Sequence, residues 1–432
     1  KKEAEGEGTM LATSLALGVP AMPRNTTRSG RIARYADGPW INLQTVLAPA
    51  LGVYHTTQEI FDEVESLSKS CKANFKVEKV TNSSDGKWPI RIVSLGDADE
   101  KKGKALYLFG IHGREYLSAE ISLHFMRGLC DGSDAASKVL AGTSFTIVPV
   151  LNPSGRDYVR AGGHSCADMR KNGAGVDLNR NFDVSWKDGS DMQMAEDYRG
   201  PAPFSEKESQ LVKKLVDEGK PDMFIDVHTG DMSMLMPWND REEGPPAKEL
   251  EAMTKLLEHA KSGVTWFDSK PDVGVGALTG TPAYLASGTT GDYAYLAGVK
   301  YPFIWETYRL DEFKQQNERV HRKQNRHMDA VQWSDSRRHL LPKAGNKPQK
   351  ALELLTTGPL GPLVPATTSL TPATMAVSPT NVPAEFISDD CFKFFNPVST
   401  ESLTQYTGQW TKALMRASQY LADEHLGKHL AA

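Results

Sequence analysis

The stretch Ala105-Leu106-Tyr107-Leu108-Phe109-Gly110-Ile111-His112-Gly113-Arg114-Glu115 decides the fold. Its first five residues are apolar without alternation, the pattern of a short strand buried on both faces. Glycines at 110 and 113 make the turn that follows, and the apolar spacing from Ser118 to Leu129 predicts a helix. This is a strand-turn-helix unit, and it places His112 and Glu115 at the carboxyl end of a strand. Open α/β sheets hold their ligands at that end.

Working outward, Ile90 to Leu95, Phe145 to Val150, Met223 to Val227 and Tyr301 to Trp305 are further short apolar runs. Helical patterns lie among them. One starts at Thr57 (Ile60, Phe61, Val64, Leu67), one spans Ser205 to Glu218, and one spans Pro246 to Lys261. Ser205-Glu206-Lys207-Glu208 has the form of a capping box. Strands alternating with helices predict an α/β fold with a mixed, mostly parallel twisted sheet and helices on both faces. Leu403, Tyr406, Trp410, Leu414, Ala417 and Leu421 form one stripe of an amphipathic C-terminal helix, expected to dock on that sheet.

With 432 residues, 39% of them hydrophobic and 24% charged, the chain has ample core and is neither fibrous nor wholly disordered. Its net charge of −4 gives no overall positive field for nucleic acid. Met10 to Met22 is too short to span a membrane, which takes about 20 apolar residues, so no transmembrane segment is predicted. The same run is readable as the apolar part of a signal segment. Asn25-Thr26-Thr27 and Asn82-Ser83-Ser84 fit the glycosylation acceptor pattern. Together these favour a secreted or vacuolar, endomembrane-lumenal location over a cytoplasmic one. Cys71, Cys130, Cys166 and Cys391 allow three fully paired connectivities, and the sequence does not choose among them.

The chain divides into a leader or N-terminal arm over 1–50 and a main domain over 51–310. A polar helix and Pro/Thr-rich insertion follow over 311–388, and the C-terminal helix occupies 389–432. The segment Thr356 to Pro383 has no apolar period.

The chemistry concentrates in four clusters. A histidine and a carboxylate three apart, His112 and Glu115, can reach one zinc ion. Met223 to Val227 delivers a second histidine, His228, at its end. A His/Glu/His set leaves tetrahedral zinc with one open position for water, which is a catalytic arrangement. A structural site would need a fourth protein ligand, and no paired CxxC supplies one. The glycine-rich segment from Met169 to Phe182 carries Arg170, Asp177, Asn179 and Arg180 and is suited to gripping a carboxylate. Taken alone it would read as a solvated basic loop. Glu306 ends a strongly apolar strand, where a carboxylate is costly without a partner or a task, and is therefore a general-base candidate.

In combination these clusters resemble the zinc metallocarboxypeptidase family of the carboxypeptidase A type, in a flavour nearer its plant-like and protist-like members. The resemblance rests on His-Gly-Arg-Glu at 112–115, Asn152-Pro153-Ser154-Gly155, Gly-Val-Asp-Leu-Asn-Arg-Asn-Phe at 175–182, His228 and Glu306, in the family's order. It covers roughly Thr57 to Tyr308, with Asp390-Cys391-Phe392 and the terminal helix as a final piece.

The resemblance implies one zinc per chain held by His112, Glu115 and His228, with Glu306 and Arg170 catalytic. Glu306 would take a proton from the attacking water, and Arg170 would polarise the scissile carbonyl. Asn179, Arg180 and Tyr284 would hold the terminal carboxylate of a peptide or protein substrate. Arg114 would line the other side of the cleft, and Asp177 would orient His112. Gly291 falls where the last side chain is usually read, which predicts a roomy pocket, with Asn239 and Asp240 nearby. Other readings within the fold are an amidohydrolase of N-acyl amino acids and a deglutamylase. From a different class comes a catalytically inactive peptide-binding module.

Overall fold

The computed structural model describes residues 51–310 and 388–427, apart from 98, 163, 263, 265–266, 268–273 and 278–284. The leader expected over 1–50, nearly all of the insertion expected over 311–388, and Tyr284 lie outside the described residues.

Helix α1 (Thr57–Ser70) opens on a true capping box, with the Thr56 side chain accepting from the Glu59 N–H and the Glu59 carboxylate accepting from the Thr56 N–H. The hairpin β1 (Phe75–Asn82) and β2 (Pro89–Leu95) follows, then β3 (Gly103–Phe109), α2 (Tyr116–Cys130) and α3 (Asp134–Gly142). Strand β4 (Thr143–Val148) stops two residues earlier than the apolar run suggests, because Pro149 has no N–H for the ladder. Next come α4 (Pro153–Ala161), α5 (Lys207–Gly219), β5 (Met223–His228), β6 (Met232–Met236) and α6 (Ala247–Ser262). The order closes with β7 (Gly274–Ala277), α7 (Thr290–Leu296), β8 (Tyr301–Thr307), α8 (Ser388–Phe395) and α9 (Thr400–His425). No helix among the described residues is long and apolar enough to cross a membrane.

The strands form one sheet in the order β1-β2-β4-β3-β5-β8-β6-β7. Its centre, β4-β3-β5-β8, is parallel, whereas β1-β2, β2-β4 and β6-β8 are antiparallel. The expected mixed sheet is therefore present. Both faces are covered, as the period of two requires. Tyr107, Phe109, Ile225, Val227, Phe303 and Trp305 point to one face, where α2, α6 and α9 pack. Leu106, Leu108 and Phe224 point to the other, against Leu211, Val212 and Val216 of α5 and Ala294 of α7.

Helix α9 lies across α2, α3 and α6. Its Trp410 is fully buried, 5.9 Å from Trp305 and 4.8 Å from Phe267 between ring centroids. Truncating such a residue to alanine costs on the order of 3–5 kcal/mol, so the C-terminal helix is part of the core.

The capping box expected at Ser205 to Glu208 does not form. Helix α5 begins at Lys207 behind Glu206, which makes no side-chain cap. Glu208 is instead buried and taken by the Ser84 N–H and hydroxyl of the β1-β2 hairpin, so a tertiary partner replaced the local one.

Of the three cysteine pairings the structure has Cys71–Cys130 and Cys166–Cys391. The first joins the end of α1 to the end of α2. The second joins the loop before Arg170 to α8.

Candidate active site

The site forms at the carboxyl ends of β3, β5 and β8, on the face that α7 covers. The turn after β3 is locked by close backbone approach. A Cβ on Gly113 would lie 2.5 Å from the Gly155 carbonyl oxygen, so only glycine fits there. Asn152 stitches the same region. Its Nδ2 donates to the carbonyls of Ile111 and Lys171, and its Oδ1 accepts from the Gly155 N–H.

His112, Glu115 and His228 are all buried, and their ligand atoms lie within 4.8 Å of one another. The two Nδ1 atoms face each other at 3.2 Å. Glu115 Oε1 is 2.7 Å from the first, and Glu115 Oε2 is 3.3 Å from the second. Each imidazole turns its other nitrogen to a buried carboxylate. His112 Nε2 lies 3.2 Å from Asp177 Oδ1, and His228 Nε2 lies 3.0 Å from Asp226 Oδ2.

This arrangement tests the donor set. A carboxylate accepts from an N–H, so Asp177 holds the His112 proton on Nε2, and Asp226, an ion-pair neighbour of His228 Nε2, favours the same tautomer there. Both Nδ1 lone pairs then point at one spot already faced by Glu115. Two such lone pairs at 3.2 Å repel unless a cation lies among them, so the residues fit a metal ion with N and O preferences such as zinc.

Without a cation the buried carboxylates favour a protonated His228, and a metal ion would supply that positive charge instead. Burial would raise the Glu115 pKa, but the adjoining imidazoles hold it well below the usual carboxylate range. Burial would lower His228, yet Asp226 and Glu115 raise it well above 6.5. Burial also works against Asp177, but Arg170, whose Nε donates to Asp177 Oδ2 at 2.7 Å, keeps it ionised.

Glu306 stands beside this set, paired in register with His228. Its Oε2 is buried and has no hydrogen-bond partner. Burial, with the carboxylates of Glu115 and Asp231 adding, pushes its pKa up to about 8, against the pull of His228 and Arg170. A cation in the neighbouring set acts in the opposite direction and brings the working value down.

Arg170 reaches the same cluster, with Nη1 3.4 Å from His112 Nδ1. Asn179 and Arg180 are buried next to it. Asn179 Oδ1 accepts from the Thr290 N–H at 2.9 Å, and Arg180 Nη1 donates to the Asn179 carbonyl at 2.7 Å. Arg114 is anchored by three partners. Its guanidinium sits 3.9 Å over the Phe395 ring, donates to the Cys166 carbonyl at 2.7 Å, and pairs with Glu196.

The floor around Gly291 is closed on one side by one apolar and one polar side chain. A Cβ there would lie 3.1 Å from Ile304 Cγ1 and 3.5 Å from Asn239 Nδ2. Asp240 is already occupied, since Arg241 grips both of its oxygens at 2.7 and 2.8 Å and the Ser185 hydroxyl donates at 2.5 Å.

Sequence reasoning missed Asp226. Its signal was present: it lies two residues before His228 on an otherwise apolar strand, hence on the same face, and the burial argument applied to Glu306 applies to it equally.

A buried His/Glu/His donor set at the open end of a mixed α/β sheet defines a metal-site α/β protein. The profile of the zinc carboxypeptidase family matches residues 60–329, and the chain belongs to that family. It is 28% identical to carboxypeptidase A4 of Mus musculus over 268 residues, covering 59% of this chain and 62% of that protein. It is 27% identical to carboxypeptidase A1 of Sus scrofa over 265 residues, again covering 59% and 62%. The chain thus spans about 62% of the length of these curated relatives. Among solved structures it shares its fold with a carboxypeptidase A from Helicoverpa armigera, at a TM-score of 0.53 and 24% identity over 60% of this chain and 66% of that one. Thrombin-activatable fibrinolysis inhibitor gives a TM-score of 0.52 at 21% identity, over 60% of this chain and 67% of that one.

Proposed function

We propose that this protein is a zinc-dependent carboxypeptidase that removes the C-terminal residue from peptides or protein tails. The observation that carries the reading is the convergence of two Nδ1 lone pairs and Glu115 beside the unpartnered Glu306 oxygen.

His112, Glu115 and His228 hold one zinc ion. When bound, the ion lowers the pKa of a coordinated water from about 15.7 to about 7 and polarises a carbonyl oxygen. Glu306 takes the proton as water attacks and returns it to the departing amine, a role suited to a carboxyl group whose proton affinity burial has raised. Arg170 stabilises negative charge on the carbonyl oxygen while Asp177 holds its Nε. Asn179 and Arg180, with Tyr284, receive the substrate's free carboxylate. Arg114, anchored by Glu196, Cys166 and Phe395, forms the opposite wall.

The catalytic domain is residues 51–310, completed by the C-terminal helix within 389–432. The pocket beside Gly291 takes large apolar C-terminal residues in preference to basic ones, because Ile304 provides the wall and Arg241 neutralises Asp240. Two disulfides support folding in an oxidising lumen or outside the cell.

Peptides ending in Phe, Leu, Lys, Arg and Glu, each free and amidated, test the reading. Cleavage of the free set, fastest for Phe and Leu, with little or none of the amidated set, is expected. Equal cleavage of the amidated set would sink the exopeptidase assignment, and activity confined to Lys and Arg would overturn the pocket assignment.

A further inference from the structure

Helix α2 begins at a metal-ligand position and has a problem there. Its first N–H groups need acceptors, the usual provider being the N-cap side chain. The N-cap is Glu115, with φ −94° and ψ 68°, and it makes no side-chain cap. Its carboxylate faces His112 and His228 and accepts from the Thr229 N–H, so it cannot turn back to its own helix.

The missing cap comes from the other end of the chain. Asn396, fully buried just after α8, accepts the Leu117 N–H on Oδ1 at 3.0 Å. Its Nδ2 donates to the Arg114 carbonyl at 2.7 Å and to the Phe392 carbonyl at 3.0 Å. Two carbonyls and one N–H leave only one orientation for the amide. One side chain thus bonds the backbone on both sides of Glu115.

The segment that presents Asn396 is itself tied to the site. Cys391 is bonded to Cys166, whose carbonyl accepts from Arg114. Phe392 packs edge-on against Tyr116, the first residue of α2, with centroids 5.2 Å apart. Phe395 lies under Arg114 and fills the space a Cβ on Gly230 would need. The next carbonyl, that of Pro397, accepts from the Tyr54 hydroxyl at 2.5 Å.

We propose that Asn396 is a positioning residue for the metal centre: it caps α2 in place of Glu115, leaving the Glu115 carboxylate free to serve as a ligand. The inference rests on the metal reading above. Groups that hold a ligand in place are typically worth about 10- to 100-fold in metal affinity. A side chain that merely filled space would affect stability and leave affinity alone.

The test measures zinc affinity by competition with a chromophoric chelator, with thermal unfolding of the metal-free protein in parallel, for wild type, Asn396→Ala, Asn396→Asp and Ser399→Ala. The last removes only the N-cap of α9. Asn396→Ala is expected to weaken zinc binding on the order of 10- to 100-fold. Asn396→Asp, which keeps the acceptor for Leu117 but sets a carboxylate oxygen against the Arg114 and Phe392 carbonyls, is expected to weaken zinc binding at least as much as alanine does. Ser399→Ala should lower the unfolding temperature and leave zinc affinity unchanged.

If Asn396→Ala does not fold, the near-isosteric Asn396→Asp decides alone, and wild-type affinity in it overturns the proposal. A loss of thermal stability at Asn396 with unchanged affinity does so as well. A wild-type protein that binds no zinc would overturn the metal reading and this inference with it, whereas zinc binding indifferent to Asn396 overturns only this inference.

Discussion

His228 and Glu306 are direct register partners in the parallel pairing of β5 with β8, on the same face of the sheet. Two strands far apart in sequence therefore deliver a metal-ligand candidate and a base candidate side by side, with no loop whose movement could separate them. The base candidate is built into the sheet. This explains how a carboxylate with a buried, unpartnered oxygen is kept in place.

Glu306→Gln should retain zinc and fold while turnover falls by about 10²- to 10⁴-fold, the range expected when a positioned acid-base group is lost. Steady-state kinetics with zinc content measured on the same sample check this. Near-normal turnover would remove Glu306 from its role.

Asp177→Asn and Asp226→Asn each replace a carboxylate that lies beside an imidazole Nε2. Each should weaken zinc binding by roughly 10- to 100-fold by releasing the ring orientation. An effect at Asp177 alone would show that Asp226 serves only the Thr290 hydroxyl, which donates to it at 2.7 Å.

The fold was legible where burial is two-sided. The strands leading to His112, His228 and Glu306 are runs whose polar interruptions are Lys104 and Asp226, and their bounds were legible to within two residues. Strand β1 was not, because its Lys and Glu residues suit an exposed sheet edge and break the apolar run. Strand β6, Met232 to Met236, hid because three of its five residues are methionine, which carries little strand preference. Asn396 was invisible for another reason: its two partners flanking Glu115 are 279 and 282 residues away, and no local pattern marks a long-range cap. The same physics defeated the capping box at Ser205, where Glu208 found Ser84 instead.

His55 provides a pH-dependent contact outside the site. Its Nδ1 lies 2.7 Å from Glu120 Oε2, and this hydrogen bond raises the imidazole pKa above 6.5. Because the folded value is the higher one, the contact's stabilisation is fully present below pH 6.5 and is lost as pH rises through the folded pKa. A His55 resonance titrating above 6.5 is expected. The stability gap between wild type and His55→Gln should shrink as pH rises through that midpoint, and a gap that widens would contradict the assignment.

Replacing Cys166 and Cys391 with alanine should lower stability by about 2–4 kcal/mol, the usual cost of losing a native disulfide. It should also weaken zinc binding, since that link anchors the segment carrying Asn396. Denaturant unfolding and zinc competition on one preparation would separate the two effects. Unchanged values in both would show that α8 docks without the bond.

The most direct test of the account is the mass spectrum of a free-ended peptide after incubation with zinc-loaded wild type, with chelated wild type, and with zinc-loaded Glu306→Gln. The account predicts loss of single residues from the C-terminal end with the first sample only. Internal fragments, or the same shortening after zinc has been stripped, would contradict it.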